Sequence, residues 1–261
     1  SSLLGDKNLL ALATRKYGYD NSYEPLTKKE LWERNHDKRE PLDRDEEELL
    51  AASIDVIRAR TLSILRRFDG DADRKASVMQ FLIEADVLSK AKLSLHDADL
   101  SKAYLYRAHL RKVDLGRANL SGAVLEAANL SNANVGFANL NGANLKAACI
   151  TRASLVAANL SKANLTRADL RWSRLGGSDL SEANLTRTIL AGADLHGTNL
   201  RHVNFQGANL SKADLSRAYL EKADFTGAIL TGANIEGVTS EPERLVELQE
   251  AASSPQPDDE A

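Results

Sequence analysis

An apolar residue returns at every fifth position from Leu95 to Ile235, and it is Leu in 24 of 29 places. The stretch ANLSKANLTRADL at residues 158–170 shows the pattern: Leu160, Leu165 and Leu170, each with Ala two places before it. A helix turns about 100° per residue, so a step of five scatters the leucines around the cylinder. A strand alternates faces with period two, so an odd step sends successive leucines to opposite sides. A chain that turns one corner per five residues brings every leucine to a common axis.

From Leu93 to Ala233 there are 29 units, since (233 − 93)/5 + 1 = 29, and no insertion shifts their phase. The five non-Leu axis residues, Val135, Ile150, Phe205, Phe225 and Ile235, are all apolar. The first position is Ala in 22 units, small enough to let the backbone pass close. The middle position is Asn or Asp in 19 units, side chains that bond to nearby backbone and favour turns. The last two positions are mostly Ser, Thr, Lys, Arg, Gly or Glu, a solvated surface. Such internal repetition predicts a solenoid.

The stretch ANLSKANLTRADL resembles the pentapeptide-repeat proteins, whose consensus is A(D/N)LXX. The resemblance implies a mainly β fold: a right-handed quadrilateral β-helix with four units, hence twenty residues, per coil. Residues 93–238 then form about seven coils, a column roughly 30–35 Å tall at the usual strand spacing. Phe205 and Phe225 lie twenty apart and should stack. Cys149, Ile189 and Ile229 replace the middle Asn or Asp at intervals of forty, again on one side. The segment ARTLSILRRFDGDADRKASVMQFLIEADVL, residues 59–88, also resembles the part preceding the repeats in bacterial, often cyanobacterial, members.

Outside the repeats the chain divides into an N-terminal helical region, residues 1–92, and a tail, residues 239–261. Thr27 and Glu30, with Leu26 and Leu31 around them, form a capping box and staple that predict a helix to about His36. Residues 43–68 predict a longer helix, acidic in its first turn and ending in Arg66 and Arg67, with Leu50, Ile54, Ile57, Leu65 and Phe68 on one face. Asp73 is expected to cap a further helix to about Leu88, with Val78, Phe81, Leu82 and Ala85 apolar. That helix runs into the first coil and is expected to cover its open edge. Residues 242–250 are expected to form a short C-terminal cap through Leu245, Val246 and Leu248, and the acidic, Pro-containing end is expected to be disordered.

One cysteine excludes an internal disulfide, and no apolar run reaches the ~18 residues of a membrane span. The expected compartment is the cytoplasm. The chain begins Ser-Ser rather than Met, so a membrane-associated or exported product of a longer precursor is the alternative. Net charge is −1 over residues 1–92, +4 over 93–238 and −6 over 239–261, which sum to −3.

No constellation in the chain predicts catalysis, a cofactor or a metal. Asp69, Asp71 and Asp73 have the spacing of a calcium loop, but Arg74 and Gln80 stand where Gly and Glu are required, so a turn with a helix cap is the reading. His36, His96, His109, His196 and His202 show no metal-ligand spacing. Cys149 reads as a packed thiol, and Gly176-Gly177 as slack in a coil. Family members that protect DNA gyrase are thought to imitate DNA with an acidic surface; a shaft of net charge +4 lacks that surface.

The expected function is therefore non-enzymatic: a scaffold presenting fixed columns of side chains to a protein partner. The candidate interface comprises the outward aromatics Tyr106, Phe137 and Trp172 and the basic residues Lys102, Arg107, Arg111, Lys112 and Arg117 of the first coil. Twenty-residue coils spread those first-coil charges over different sides, and nucleic acid is not the expected partner. The alternative is a peripheral membrane protein held through basic N-terminal helices.

Overall fold

The computed structural model describes residues 44–68, 71–84, 93–240, 248 and 250. The expected helix over residues 27–36 and the acidic C-terminal end lie outside them. Helix α1 spans Arg44–Arg67 and helix α2 spans Ala72–Glu84. From residue 93 the chain winds as the five-residue corner argument requires.

Twenty-five parallel bridges join residues twenty apart, from Asp99–Asn119 to Tyr219–Thr239. Four units therefore complete one coil. From Asp99 to Thr239 the column rises by seven coils, since (239 − 99)/20 = 7. The first and third residues of the units fill its interior: Leu100, Leu120, Leu140 and Leu160 are at most 1% exposed, and Ala103, Ala123 and Ala143 are at 0%. Phe205 and Phe225 stack as expected, with ring centroids 4.9 Å apart.

The unit closes its own backbone bonding, which is why it repeats so faithfully. Leu100 accepts a turn bond from the Ala103 N–H at 3.1 Å. The Leu100 N–H donates to the Asn119 carbonyl of the next coil, and the Lys102 N–H to the Ser121 carbonyl. The Asn119 N–H donates back to the Ala98 carbonyl. One N–H per unit is left, at the fourth residue, and the middle side chain takes it. The Ser101 N–H donates to Asp99 Oδ1 at 3.1 Å, and the Ser161 N–H to Asn159 Oδ1 at 3.0 Å. Each of the 19 middle Asn and Asp residues accepts this bond. The turn requires a left-handed fifth residue, and all 29 have φ between 55° and 69°. At three of the four first positions held by Ser or Thr the buried hydroxyl finds a carbonyl, as Thr188 Oγ1 does in donating to the Leu165 oxygen at 2.9 Å; the buried Ser178 hydroxyl has none among the described residues.

The N-terminal helices close one end of the column. Ile57 and Leu65 of α1 and Met79 and Leu82 of α2 share one core with Leu93 and Leu95. Two details differ from the sequence reading. Asp71, not Asp73, caps α2: its Oδ1 accepts the Arg74 N–H at 3.0 Å, and Asp73 lies in the first turn. Phe81 faces out, 47% exposed, because the buried face of α2 runs through Lys75, Met79 and Leu82. The helix ends at Glu84, with residues 85–92 outside the described set. At the other end Leu248 is 2% exposed and belongs to the solenoid core, while Leu245 and Val246 are not described.

Candidate functional site

The coil period sorts every outward residue into one of four corners and four flat sides. Arg117 and Phe137 occupy one corner, twenty apart. Lys102 occupies the next corner, Tyr106 and Arg107 the third, and Arg111, Lys112 and Trp172 the fourth. The first-coil charges are thus spread, as expected. The structure nonetheless gathers Tyr106, Arg107, Arg111, Lys112 and Trp172 along the two edges of one side, and leaves Lys102, Arg117 and Phe137 elsewhere.

That side carries the row His109, Asn129, Cys149, Asp169, Ile189, Asn209 and Ile229, joined by successive parallel bridges. Cys149, Ile189 and Ile229 fall on one face, as the intervals of forty require. Ile189 is 38% exposed and Ile229 49%. One edge adds Arg107, Lys146, Arg167 and Arg187; the other adds Arg111, Lys112, Arg152, Arg171 and Lys212. The strip holds two acids, each engaged by its own neighbour: Glu126 with Lys146 at 3.4 Å and Asp169 with Arg171 at 2.6 Å. Nine bases against two acids give +7, while the rest of residues 93–238 holds seven against ten, or −3. Burial pushes the Asp169 carboxyl up, but bonds from the Arg171 side chain and N–H outweigh it and hold it below the usual range.

A second feature lies at the corner holding Phe137. A groove of about 660 Å³ has Gly116 and Gly136 as its floor and His96, Phe137 and Val156 around it. Phe137 is 69% exposed. Arg117 beside it is held by Asp97, Nε to Oδ1 at 2.8 Å, and that bond pulls the Asp97 carboxyl below its ordinary range. His96 sits between Asp97 and Asp114, 3.7 Å from each.

Three rings pack over glycines of the adjacent coil, in the space a Cβ would need: His96 over Gly116, His196 over Gly176 and Trp172 over Gly192. Gly176 is therefore a seat for the His196 imidazole rather than slack, and Gly177 fills a left-handed position at φ 65°. Trp172 is part cover for its neighbouring corner while still 59% exposed. Cys149 is half-buried, its Sγ 3.6 Å from Thr151 Oγ1. Among the described residues no three His, Cys, Asp or Glu side chains gather as a metal site.

Sequence reasoning missed Lys75. Its side chain is fully buried under the first coil, with Nζ 2.6 Å from Asp99 Oδ2 and 3.0 Å from Ser101 Oγ. The signal was present: Lys75 precedes Met79 by four residues and so shares its helical face.

The pentapeptide-repeats family model matches this chain in eight copies between residues 88 and 239, which together cover more than half of it. The protein belongs to the pentapeptide-repeat family, whose members form right-handed quadrilateral β-helices. Among solved structures it is similar to HetL of the cyanobacterium Nostoc sp. strain PCC 7120, a pentapeptide repeat protein involved in heterocyst differentiation regulation. That match has 30% identity over 57% of this chain and 84% of HetL, with a TM-score of 0.42. Rfr23 of the cyanobacterium Cyanothece 51142 matches at 24% identity over 44% of this chain and 60% of its own, TM-score 0.29. QnrB1, a plasmid-mediated fluoroquinolone resistance protein, matches at 15% identity over 60% and 91%, TM-score 0.36. No curated protein matches the chain. Among the described residues no helix is long and apolar enough to cross a membrane.

Proposed function

We propose that this protein is a non-catalytic binding solenoid that docks a partner protein on its outward columns, with α2 and Leu248 closing the two ends of the column. Phe137 carries the reading. A non-Gly residue in the left-handed region costs about 1–2 kcal/mol, and an exposed ring returns little burial to offset it. Glycine would serve the turn better at this position, as it does at Gly177 of the same corner. The fold accommodates an aromatic at φ 58°, 69% exposed, beside a groove floored by glycines. Exposed aromatics of this kind anchor protein interfaces. The repeat's closed hydrogen bonding holds the surface in place, so docking forfeits little conformational entropy.

The test is Phe137→Gly. The variant should keep or raise the melting temperature, because the strained position is relieved, yet lose a partner recovered by affinity capture from the native cell. Recovery of every partner at wild-type yield would remove Phe137 from any interface and this reading with it. The proposed compartment is the cytoplasm, where fractionation should place the full-length protein.

A further inference from the structure

We propose that the side bearing Ile189 and Ile229 binds an acidic amphipathic helix of a partner protein; this rests on the reading of the column as a protein-binding solenoid. The corner cations are exposed, and between them Ile189 and Ile229 are exposed as well, while Asn129, Cys149, Asp169 and Asn209 of the same row are half-buried. Arg152 and Lys212 on one edge and Arg167 and Arg187 on the other are exposed and have no ion-pair partner among the described residues. The two isoleucines lie two coils apart, about 9.6 Å at the usual strand spacing. Seven residues of helix rise about 10.5 Å, so a helix lying along the column meets both with one apolar residue per heptad. Three extended residues span the side, about 10 Å, close to the diameter of a helix with its side chains. Carboxylates flanking the apolar seam then face both cation rows. Opposite charge on two edges sets the helix's position along and across this side.

The other polyanions fit less well. A bilayer surface has no axial repeat to match two isoleucines set two coils apart, whereas a helical heptad does. A nucleic-acid strand offers no apolar seam to them, and the Trp172 ring that could stack a base is already packed against Gly192.

The experiment titrates the full chain into a labelled helical peptide of about three heptads, with Leu at one position per heptad and Glu on both flanks. Saturable binding is expected. Arg152→Glu with Arg167→Glu should weaken it roughly tenfold, since exposed charge pairs contribute a fraction of a kcal/mol each and reversal replaces attraction with repulsion. Glutamate is tolerated at this turn position, as Glu182 at φ 60° shows, so the variant should fold. Ile189→Ser with Ile229→Ser should weaken binding similarly, and Lys222→Glu on another corner should leave it unchanged. The idea is overturned if the charge-reversed variant binds as well as wild type, or if a peptide with Ser for Leu binds as tightly as its parent. It is also overturned if oligo-dT or phosphatidylserine vesicles bind this side more tightly than the peptide. The titration reads one side and capture by Phe137→Gly reads a different corner, so the two proposals can fail separately.

Discussion

Asn159 accepts two bonds, from the Ser161 N–H at 3.0 Å and from Ser161 Oγ at 2.6 Å. Asn159→Ala should cost about 1 kcal/mol in urea unfolding, the worth of a typical intramolecular hydrogen bond. Asn159→Asp keeps the acceptor and should cost less; equal losses for both would show that the acceptor is not what matters. Gly192 is constrained twice, by φ 67° and by the Trp172 ring that an added Cβ would strike. Gly192→Ala should lower stability by about 1–2 kcal/mol from the left-handed backbone, with displacement of the ring on top. A shift in tryptophan emission should accompany the loss, and unchanged emission would mean the indole does not lie there. The turn-forming role of Asn and Asp was legible from residue type. The left-handed fifth position was less so. Nine of the fifteen glycines occupy it, but the other twenty units place Lys, Arg, Ala or bulkier residues there. Those residues tolerate the strain because their own N–H completes a bond to the next coil, as Lys102 does to Ser121 at 2.8 Å.

At the scale of the element, α2 is held on the column by an apolar face and one buried ion pair. Lys75→Met should destabilise by roughly 2–4 kcal/mol, because the partly buried Asp99 carboxylate loses its counter-charge. Adding Asp99→Asn should recover part of that loss, and a double-mutant cycle by chemical unfolding measures the coupling. Burial pushes Asp99 up, but the bonds from Lys75 and Ser101 prevail and hold its pKa below the ordinary value. A carboxyl depressed in the folded state adds stability above its unfolded pKa, about 4. That stability drains away as pH falls through the lower, folded value. Wild-type melting temperature should therefore decline below about pH 4, and Asp99→Asn should flatten that decline; an unaltered slope would separate Asp99 from acid unfolding. The extent of α1 was legible to within a residue, since acidic first turns, arginine-rich last turns and apolar spacing are local. The Lys75–Asp99 pair spans 24 residues of chain and two kinds of structure, so no local pattern announces it.

For the whole molecule, cooperativity should follow the stack. Ala228, Ala233, Ile235 and Val238 near the C-terminal end are only partly buried, while the central leucines are sealed. In native-state hydrogen exchange the amides of residues 220–239 should open first and those near Leu155 last. Uniform protection along the column would indicate a single opening unit instead. The five-residue period by itself determined that the chain is a solenoid, because only a chain that turns a corner per unit can bring an apolar residue in every fifth place to one axis; four units per coil came from the family resemblance and is seen in the bridges twenty residues apart. It also determined the closed bonding, since the middle Asn or Asp and the backbone it caps are two residues apart. Tertiary structure alone decided where the surface acquires character. Arg107, Arg152 and Lys212 are remote in sequence and unremarkable singly, and a regional charge of +4 conceals +7 on one side and −3 over the rest of the column. Electrostatics acts through distance in space, and here distance is set by stacking at twenty-residue intervals.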